Sequence, residues 1–142
     1  MNGPALAAER SQVAAAWFTR GANEQPRVLL SRSRDAGRSF EKPLVVSDRN
    51  PVGRVDVAIL DDKSIVVSWL ESIGRGTAEL RVRRFDVTGS PQDPVTVAEV
   101  SSRRSSGFPR LGRSGDGALL AWTDPQAGPK VFAALLDLQP VK

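Results

Sequence analysis

The chain has 142 residues, 40% of them hydrophobic, and a formal net charge of +4, a composition typical of one globular domain with its own core. It contains no cysteine, histidine or tyrosine, which excludes disulfides, Cys-ligated zinc, a Ser-His-Asp triad and a tyrosine nucleophile. No apolar run reaches the roughly 18 residues of a membrane-spanning helix, and the sequence predicts neither a cofactor nor a metal site.

The first unit, residues 1–52, predicts four β-strands. Two apolar stretches, "GPALAA" and "VAAAWFT", flank the polar turn Glu9-Arg10-Ser11, a pattern typical of a β-hairpin. "RVLLSRS" predicts the third strand and "KPLVVS" the fourth, with the stretch "SRDAGRSF" as the turn near their junction.

The second unit, residues 53–105, repeats this order. "VDVAIL" and "IVVSWLE" flank Asp61-Asp62-Lys63, "ELRVRRFDV" follows, and Thr88-Gly89 marks the turn before "PVTVAEV". The third unit, residues 106–142, supplies "FPRLGR", the turn around Asp116, "ALLAWTD" and "KVFAALLDL". It therefore predicts about three strands.

The three tryptophans align the units. Trp17, Trp69 and Trp122 are spaced 52 and 53 residues apart, and each ends an apolar run. A period near 50 residues with four short strands is typical of β-propeller blades. The second strand of each unit is apolar on both faces, as a strand between neighbouring sheets requires. The predicted fold is all-β, with about three propeller-type blades of antiparallel strands.

Three blades are fewer than the roughly four to eight that close a propeller. Exposed apolar sheet faces would remain at both ends, and such faces promote association. Two hypotheses follow: the chain is a segment of a longer propeller, or two copies form a homodimer with a six-bladed ring. The end of the sequence before a fourth strand favours the segment.

The stretch "SRDAGRSF" resembles the Asp-box, or bacterial neuraminidase repeat, of sialidase-like propellers. Ser33, Asp35, Gly37 and Phe40 match its pattern Ser-x-Asp-x-Gly-x-x-aromatic, with Phe where Trp is commoner. The resemblance implies a hairpin between the third and fourth strands, at the blade periphery. The residue types predict a structural turn, since Asp35 and Ser33 can accept backbone N–H groups, Gly37 tolerates positive φ, and Phe40 can bury its ring.

The resemblance does not transfer a complete active site. Sialidases of this architecture use arginines to hold the substrate carboxylate, an Asp as acid/base and a Tyr–Glu pair as nucleophile. This chain has no Tyr and no Phe-Arg-Ile-Pro motif, so no residue is assigned as catalytic. We expect a non-catalytic binding or scaffold module, possible ligands being a glycan or an acidic molecule. The alternative is a part or subunit of an exo-α-sialidase-like glycoside hydrolase.

Three charged residues on the innermost strands are the candidate binding residues: Arg54, Asp56 and Arg110. One hypothesis is a channel surface that binds an anionic or sugar ligand, since Arg offers planar donor pairs. The other is an Arg–Asp pair that ties blades together, and this second reading is favoured. Glu71 and Asp124, each two residues after a Trp, could be paired carboxylates for glycoside hydrolysis, but equivalent strand ends explain them more simply.

The basic net charge also raises nucleic-acid binding as a further alternative. The arginines are scattered and no series of aromatic residues accompanies them, so we do not favour it. The N-terminal sequence lacks a basic region followed by an apolar one, so no secretory signal is predicted. Proteins of the resembled family are often exported, and the sequence assigns no cellular compartment to this chain.

Overall fold

The computed structural model describes residues 3–115, 117–125, 128 and 130–138. Over these residues the regular structure consists of eleven β-strands and one short 3-10 helix, and the strands form three antiparallel sheets. The predicted all-β class is confirmed. The predicted turn residue Asp116 and the last four residues of the third predicted unit lie outside the described residues. No helix in the described part of the chain is long and apolar enough to cross a membrane.

Each sheet is built from strands that follow one another in the chain, and each is called a blade below. Blade 1 has the order β1-β2-β3-β4, with β1 Ala5–Glu9, β2 Gln12–Arg20, β3 Pro26–Ser33 and β4 Leu44–Ser47. Blade 2 has the order β5-β6-β7-β8, with β5 Pro51–Ile59, β6 Ile65–Gly74, β7 Thr77–Phe85 and β8 Val95–Ser101. Blade 3 has the order β9-β10-β11, with β9 Arg110–Ser114, β10 Gly117–Asp124 and β11 Lys130–Leu136, and the 3-10 helix Arg104–Ser106 precedes it.

Blades 1 and 3 pack on opposite faces of blade 2. Alternate residues of β6 explain this, because Val67 and Trp69 pack with blade 1 whereas Val66 and Leu70 pack with blade 3. A strand buried on both faces must be apolar on both. The continuous apolar run of β6 follows from this position, and the core is divided into two layers, one on each side of blade 2.

The innermost strands of the three blades lie next to one another. β1 contacts β5, and β5 contacts β9. In a β-propeller the first strand of each blade lines the central channel. The side of the molecule formed by β1, β5 and β9 is therefore the channel side, and the outer strands β4, β8 and β11 lie away from it.

Candidate binding site

The stretch that resembles an Asp-box forms a closed turn between β3 and β4. The Asp35 carboxylate accepts hydrogen bonds from Ser33 Oγ at 2.7 Å and from the Ser39 N–H at 2.8 Å and Ser39 Oγ at 2.5 Å. Ser33 Oγ accepts the Gly37 N–H at 2.8 Å. Gly37 has a φ of 86°, which costs glycine little. Ser33 and Asp35 therefore use their polar atoms inside the turn.

These hydrogen bonds hold Asp35 in its charged form. They lower the pKa of Asp35 from its ordinary 3.8 to about 2, with the Ser39 hydroxyl contributing most, followed by the Ser39 N–H and the Ser33 hydroxyl. A general acid or base works best with a pKa near the operating pH. A carboxyl group with a pKa near 2 is suited to accepting hydrogen bonds and not to proton transfer near neutral pH.

The prediction that Phe40 buries its ring is wrong, since Phe40 is 48% exposed. The reason lies in the local backbone. β4 begins only at Leu44, and the residues between Phe40 and that point belong to no strand. Phe40 is therefore not placed on a sheet face, where a ring could pack against the core.

A second turn of the same chemistry lies in blade 2, where the sequence shows no Asp-box. Asp86 accepts hydrogen bonds from the Thr88 N–H at 2.9 Å, from Thr88 Oγ1 at 2.6 Å and from the Ser90 N–H at 2.9 Å. The Thr88 hydroxyl contributes most to lowering the pKa of Asp86. Hydroxyl residues two and four positions after the Asp are the signal that could have identified this turn.

Arg54 holds the connection between blades 2 and 3. It lies buried in β5, and its Nη2 donates to the carbonyl oxygens of Ser102 at 3.2 Å and Arg103 at 2.7 Å. Burial lowers the pKa of its guanidinium. Both acceptors precede the 3-10 helix that leads into β9. The contacts of Arg54 are those of a structural residue.

Asp56 joins β5 to β9. Its Oδ2 accepts the N–H of Leu111 at 2.7 Å and lies 3.7 Å from Nε of Arg110, while its Oδ1 accepts the N–H of Val57 at 2.9 Å. The structure thus brings Asp56 and Arg110 together, while Nη2 of Arg54 donates to the carbonyl oxygens of Ser102 and Arg103. The Arg110 side chain remains 82% exposed.

A cavity of about 310 Å³ opens on the channel side, in front of Asp56 and Arg110. It is lined by the innermost strands of all three blades and by the residues that flank them: Gly3, Pro4, Ala5, Leu6, Val55, Asp56, Phe108 and Arg110. Phe108 and Leu6 are large exposed apolar side chains on this wall. The cavity therefore combines a solvated guanidinium, one carboxylate and apolar surface that includes an aromatic ring.

A second cleft, of about 320 Å³, lies between blades 1 and 2. Glu71 is buried in it, and its carboxylate accepts hydrogen bonds from Ser47 Oγ at 2.5 Å, Trp69 Nε1 at 3.4 Å and Arg81 Nη1 at 2.6 Å. All three of these donors to Glu71 belong to the protein itself. Asp124 lies at the end of β10 in another sheet, so it does not form a carboxylate pair with Glu71. Glu71 is thus a structural carboxylate, and the sequence did not indicate Arg81 as its partner.

Three antiparallel sheets whose first strands meet on a common channel side are blades of a β-propeller. No family model matches the sequence, and no curated protein matches it. Among solved structures, the chain is similar to "Hadza microbial sialidase Hz136", with a TM-score of 0.59 and 15% sequence identity over 95% of this chain. The chain spans 31% of the length of that sialidase. At this identity the likeness shows the fold, which is sialidase-like.

Proposed function

We propose that this chain is a non-catalytic binding module of sialidase-like propeller fold, whose channel-side cavity binds an acidic sugar. The observation that carries the proposal is the Arg110 guanidinium, 82% exposed on the wall of a cavity of about 310 Å³. A guanidinium offers parallel N–H donors to a carboxylate. Among the described residues only Asp56 forms an ion pair with Arg110, and the distance of 3.7 Å leaves donors for a ligand.

The other walls of the cavity suit a sugar ring. Phe108 and Leu6 present apolar surface to the opening, and ligand sites combine such surface with a few oriented polar groups. A carboxylated sugar has both an anionic group for Arg110 and an apolar ring face for Phe108. The microbial sialidase with the similar fold is named for action on sialic acids, which are carboxylated sugars, and this supports testing that ligand class first.

The same cavity favours binding over turnover. Glycoside hydrolysis commonly uses two carboxyl groups on either side of the scissile bond. Among the described residues that line the cavity, Asp56 alone carries a carboxylate. Both of its oxygens accept backbone hydrogen bonds, and the chain has no Tyr to act as nucleophile. We infer a surface that holds its ligand without cleaving it.

The test is calorimetric titration with N-acetylneuraminic acid and, as the neutral comparison, galactose. We expect the acidic sugar to bind and the neutral one to bind at least about tenfold more weakly, since one charge-assisted hydrogen-bonded pair accounts for that factor. Arg110→Ala should remove the preference for the acid. Arg38→Ala, an exposed arginine in the peripheral turn of blade 1, is the matched control. Equal binding of the acid to both variants would overturn the proposal.

The alternative function is a part or subunit of a sialidase-like glycoside hydrolase. The observation that favours it is the structural likeness to the microbial sialidase, of which this chain spans 31%. Release of 4-methylumbelliferone from its sialoside distinguishes the two functions. Turnover that is abolished by Arg110→Ala and retained by Arg38→Ala would show that the chain acts as part of an enzyme and is not a non-catalytic binding module.

We infer further that residues 33–40 serve as an Asp-box turn of purely structural function. The hydrogen bonds of Asp35 and Ser33 inside the turn support this. The turn lies between β3 and β4, whereas the cavity is lined by β1, β5 and β9. Asp35→Ala is therefore expected to lower the unfolding temperature without changing the affinity for the acidic sugar.

A further inference from the structure

Blade 2 carries two arginines at positions where the other two blades have apolar or small residues. Arg81 pairs with Trp69 across β6 and β7, and Arg83 pairs with Val67. Trp69 and Val67 pack on blade 1, so both arginines lie on the face of blade 2 that is turned towards blade 1. The matching positions are Leu29 and Ser31 in blade 1, and Phe132 and Ala134 in blade 3. The packing of the repeat does not require the two arginines, and departures from a repeated pattern are expected at functional positions.

Glu71 explains the presence of Arg81 but not that of Arg83. Arg81 Nη1 donates to the Glu71 carboxylate at 2.6 Å. Arg83 Nε and Nη1 donate to two carbonyl oxygens, at 2.8 and 2.9 Å, and its guanidinium lies 5.8 Å from the centre of the Phe85 ring. These groups attract the guanidinium without neutralising its charge. Within the described part of the chain no carboxylate forms an ion pair with Arg83. Arg83 is half-buried, and a cation withdrawn from water is stabilised by a counter-charge.

Both arginines line the cleft of about 320 Å³ between blades 1 and 2, a volume within the range of small-molecule sites. The Nη2 group of each donates to no described residue, and neither Nη2 is among the fully buried unpartnered atoms. Both groups are therefore accessible to solvent, on residues that line the cleft. Guanidinium N–H groups donate strongly to carboxylate oxygens, and Pro94 adds apolar surface to the same wall.

The rim of the cleft limits the charge of a ligand that enters it. Asp48, Arg49 and Asp93 are exposed residues that line the cleft, and two carboxylates with one guanidinium leave the rim negative. The pair of Arg81 and Glu71 is neutral, so Arg83 supplies the positive charge of the inner wall. One negative charge on the ligand complements Arg83, whereas a second negative charge is repelled by the rim.

We propose that the cleft between blades 1 and 2 is a second ligand site, which binds a small molecule with a single carboxylate. The carboxylate accepts hydrogen bonds from Nη2 of Arg83 and Nη2 of Arg81, and it supplies the counter-charge of Arg83. The apolar part of the molecule lies against Pro94. None of the described residues that line this cleft lines the channel-side cavity. The site is therefore independent of the acidic-sugar site proposed there, and either can fail without the other.

The first test is an NMR titration that follows the indole N–H signal of Trp69, because Trp69 lines the cleft beside Glu71. The probes are propanoate, its neutral isostere propanamide and the dianion sulfate, each added at about pH 6, where carboxylates are ionised. We expect propanoate to shift the Trp69 signal saturably. Propanamide should bind at least about tenfold more weakly, since it lacks the charge. Sulfate should also bind more weakly than propanoate, because the rim repels its second charge.

A variant of Arg83 tests the residue that holds the carboxylate. Arg83→Gln should weaken propanoate binding by about tenfold or more, because it removes the positive charge. Arg38→Gln, an exposed position in the peripheral turn of blade 1, is the matched control and should keep the wild-type affinity. Circular dichroism verifies that Arg83→Gln is folded.

Variants of the exposed rim test the proposal without a change at Arg83. The double variant Asp48→Asn/Asp93→Asn should raise the sulfate affinity by about threefold and the propanoate affinity by less, because two charges respond more than one. Asp137→Asn, at an exposed position after β11, is the control and should change neither affinity. No saturable shift of the Trp69 signal with propanoate, equal binding of propanamide, unchanged propanoate affinity in Arg83→Gln, sulfate binding tighter than propanoate, or an equal gain for both anions in the rim variant would each overturn the proposal.

Discussion

Arg81 Nη1 lies 2.6 Å from Oε2 of Glu71, and both side chains are largely buried between blades 1 and 2. β-sheet register produces the contact. Arg81 pairs with Trp69 across β6 and β7, and Glu71 follows Trp69 by two residues, so all three side chains share the face that packs on blade 1. A buried carboxylate needs a partner, and Arg81 supplies it from the adjacent strand.

Removal of Arg81 should destabilise the protein strongly. In Arg81→Met the Glu71 carboxylate loses its cation but stays buried, and breaking a buried ion pair costs about 3 kcal/mol of unfolding free energy. Urea unfolding at fixed protein concentration measures it. The double variant Arg81→Met/Glu71→Gln should recover part of the loss, because the uncompensated charge is gone. A single-variant loss below about 1 kcal/mol would mean that the pair behaves as an exposed one.

The carboxyl group of Asp35 should titrate far below its ordinary range. Its pKa is about 2 against an ordinary 3.8, with the Ser39 hydroxyl as the largest cause. Because the folded pKa is the lower one, the stabilisation from this carboxylate is complete above about pH 4 and is lost as the pH falls through 2. The side-chain carbon shift, followed by NMR over this pH range, reports the pKa.

Ser39→Ala provides the matched variant for this titration. It removes the hydroxyl donor and keeps the Ser39 N–H, so the pKa of Asp35 should rise part of the way towards 3.8. The acid limb of the stability profile should move to higher pH by the same amount. An unchanged pKa in Ser39→Ala would show that the 2.5 Å hydroxyl contact does not exist in solution.

The sequence predicted the blades because their signals are local. The Trp period, the polar turns and the doubly apolar second strands each depend on residues close in the chain. The contact between Arg81 and Glu71 depends on which residues of β6 and β7 face each other, and the exposure of the Phe40 ring depends on where β4 begins. The local sequence pattern determines neither the strand register nor the start of β4. The three candidate residues illustrate the same limit, since Asp56 and Arg110 do meet whereas Arg54 turns to the backbone of Ser102 and Arg103.

Asp56 should stabilise the junction of blades 2 and 3 through its hydrogen bond and not through its ion pair. Asp56→Ala leaves the Leu111 N–H without its acceptor at 2.7 Å, and hydrogen bonds to charged groups contribute about 1.5–3 kcal/mol. Arg110→Ala should cost less than about 0.5 kcal/mol, because Arg110 is highly exposed. The urea unfolding midpoints of the two variants distinguish the contribution of the hydrogen bond from that of the ion pair. Equal losses of unfolding free energy in the two variants would show that the ion pair provides the stabilisation.

Substitution by alanine should destabilise the protein less at Gly37 than at Gly89, although the φ angles of these two turn glycines are similar, at 86° and 92°. A Cβ on Gly37 would meet nothing within 4 Å, so Gly37→Ala should cost only the left-handed backbone strain of about 1–2 kcal/mol. A Cβ on Gly89 would lie 3.2 Å from Nη2 of Arg32 and 3.3 Å from Cδ1 of Leu44.

Arg32 cannot easily move away from a methyl group at Gly89. Its Nε and Nη2 donate to the Glu41 carboxylate at 3.1 and 2.9 Å, and its Nη1 donates to the Val87 carbonyl oxygen at 2.8 Å. The overpacking cost of about 1–3 kcal/mol therefore adds to the backbone strain in Gly89→Ala. Thermal unfolding of the two variants side by side measures the difference. If Gly37→Ala lowered the melting temperature as much as Gly89→Ala, the inference that Arg32 is held in place against the turn of blade 2 would be wrong.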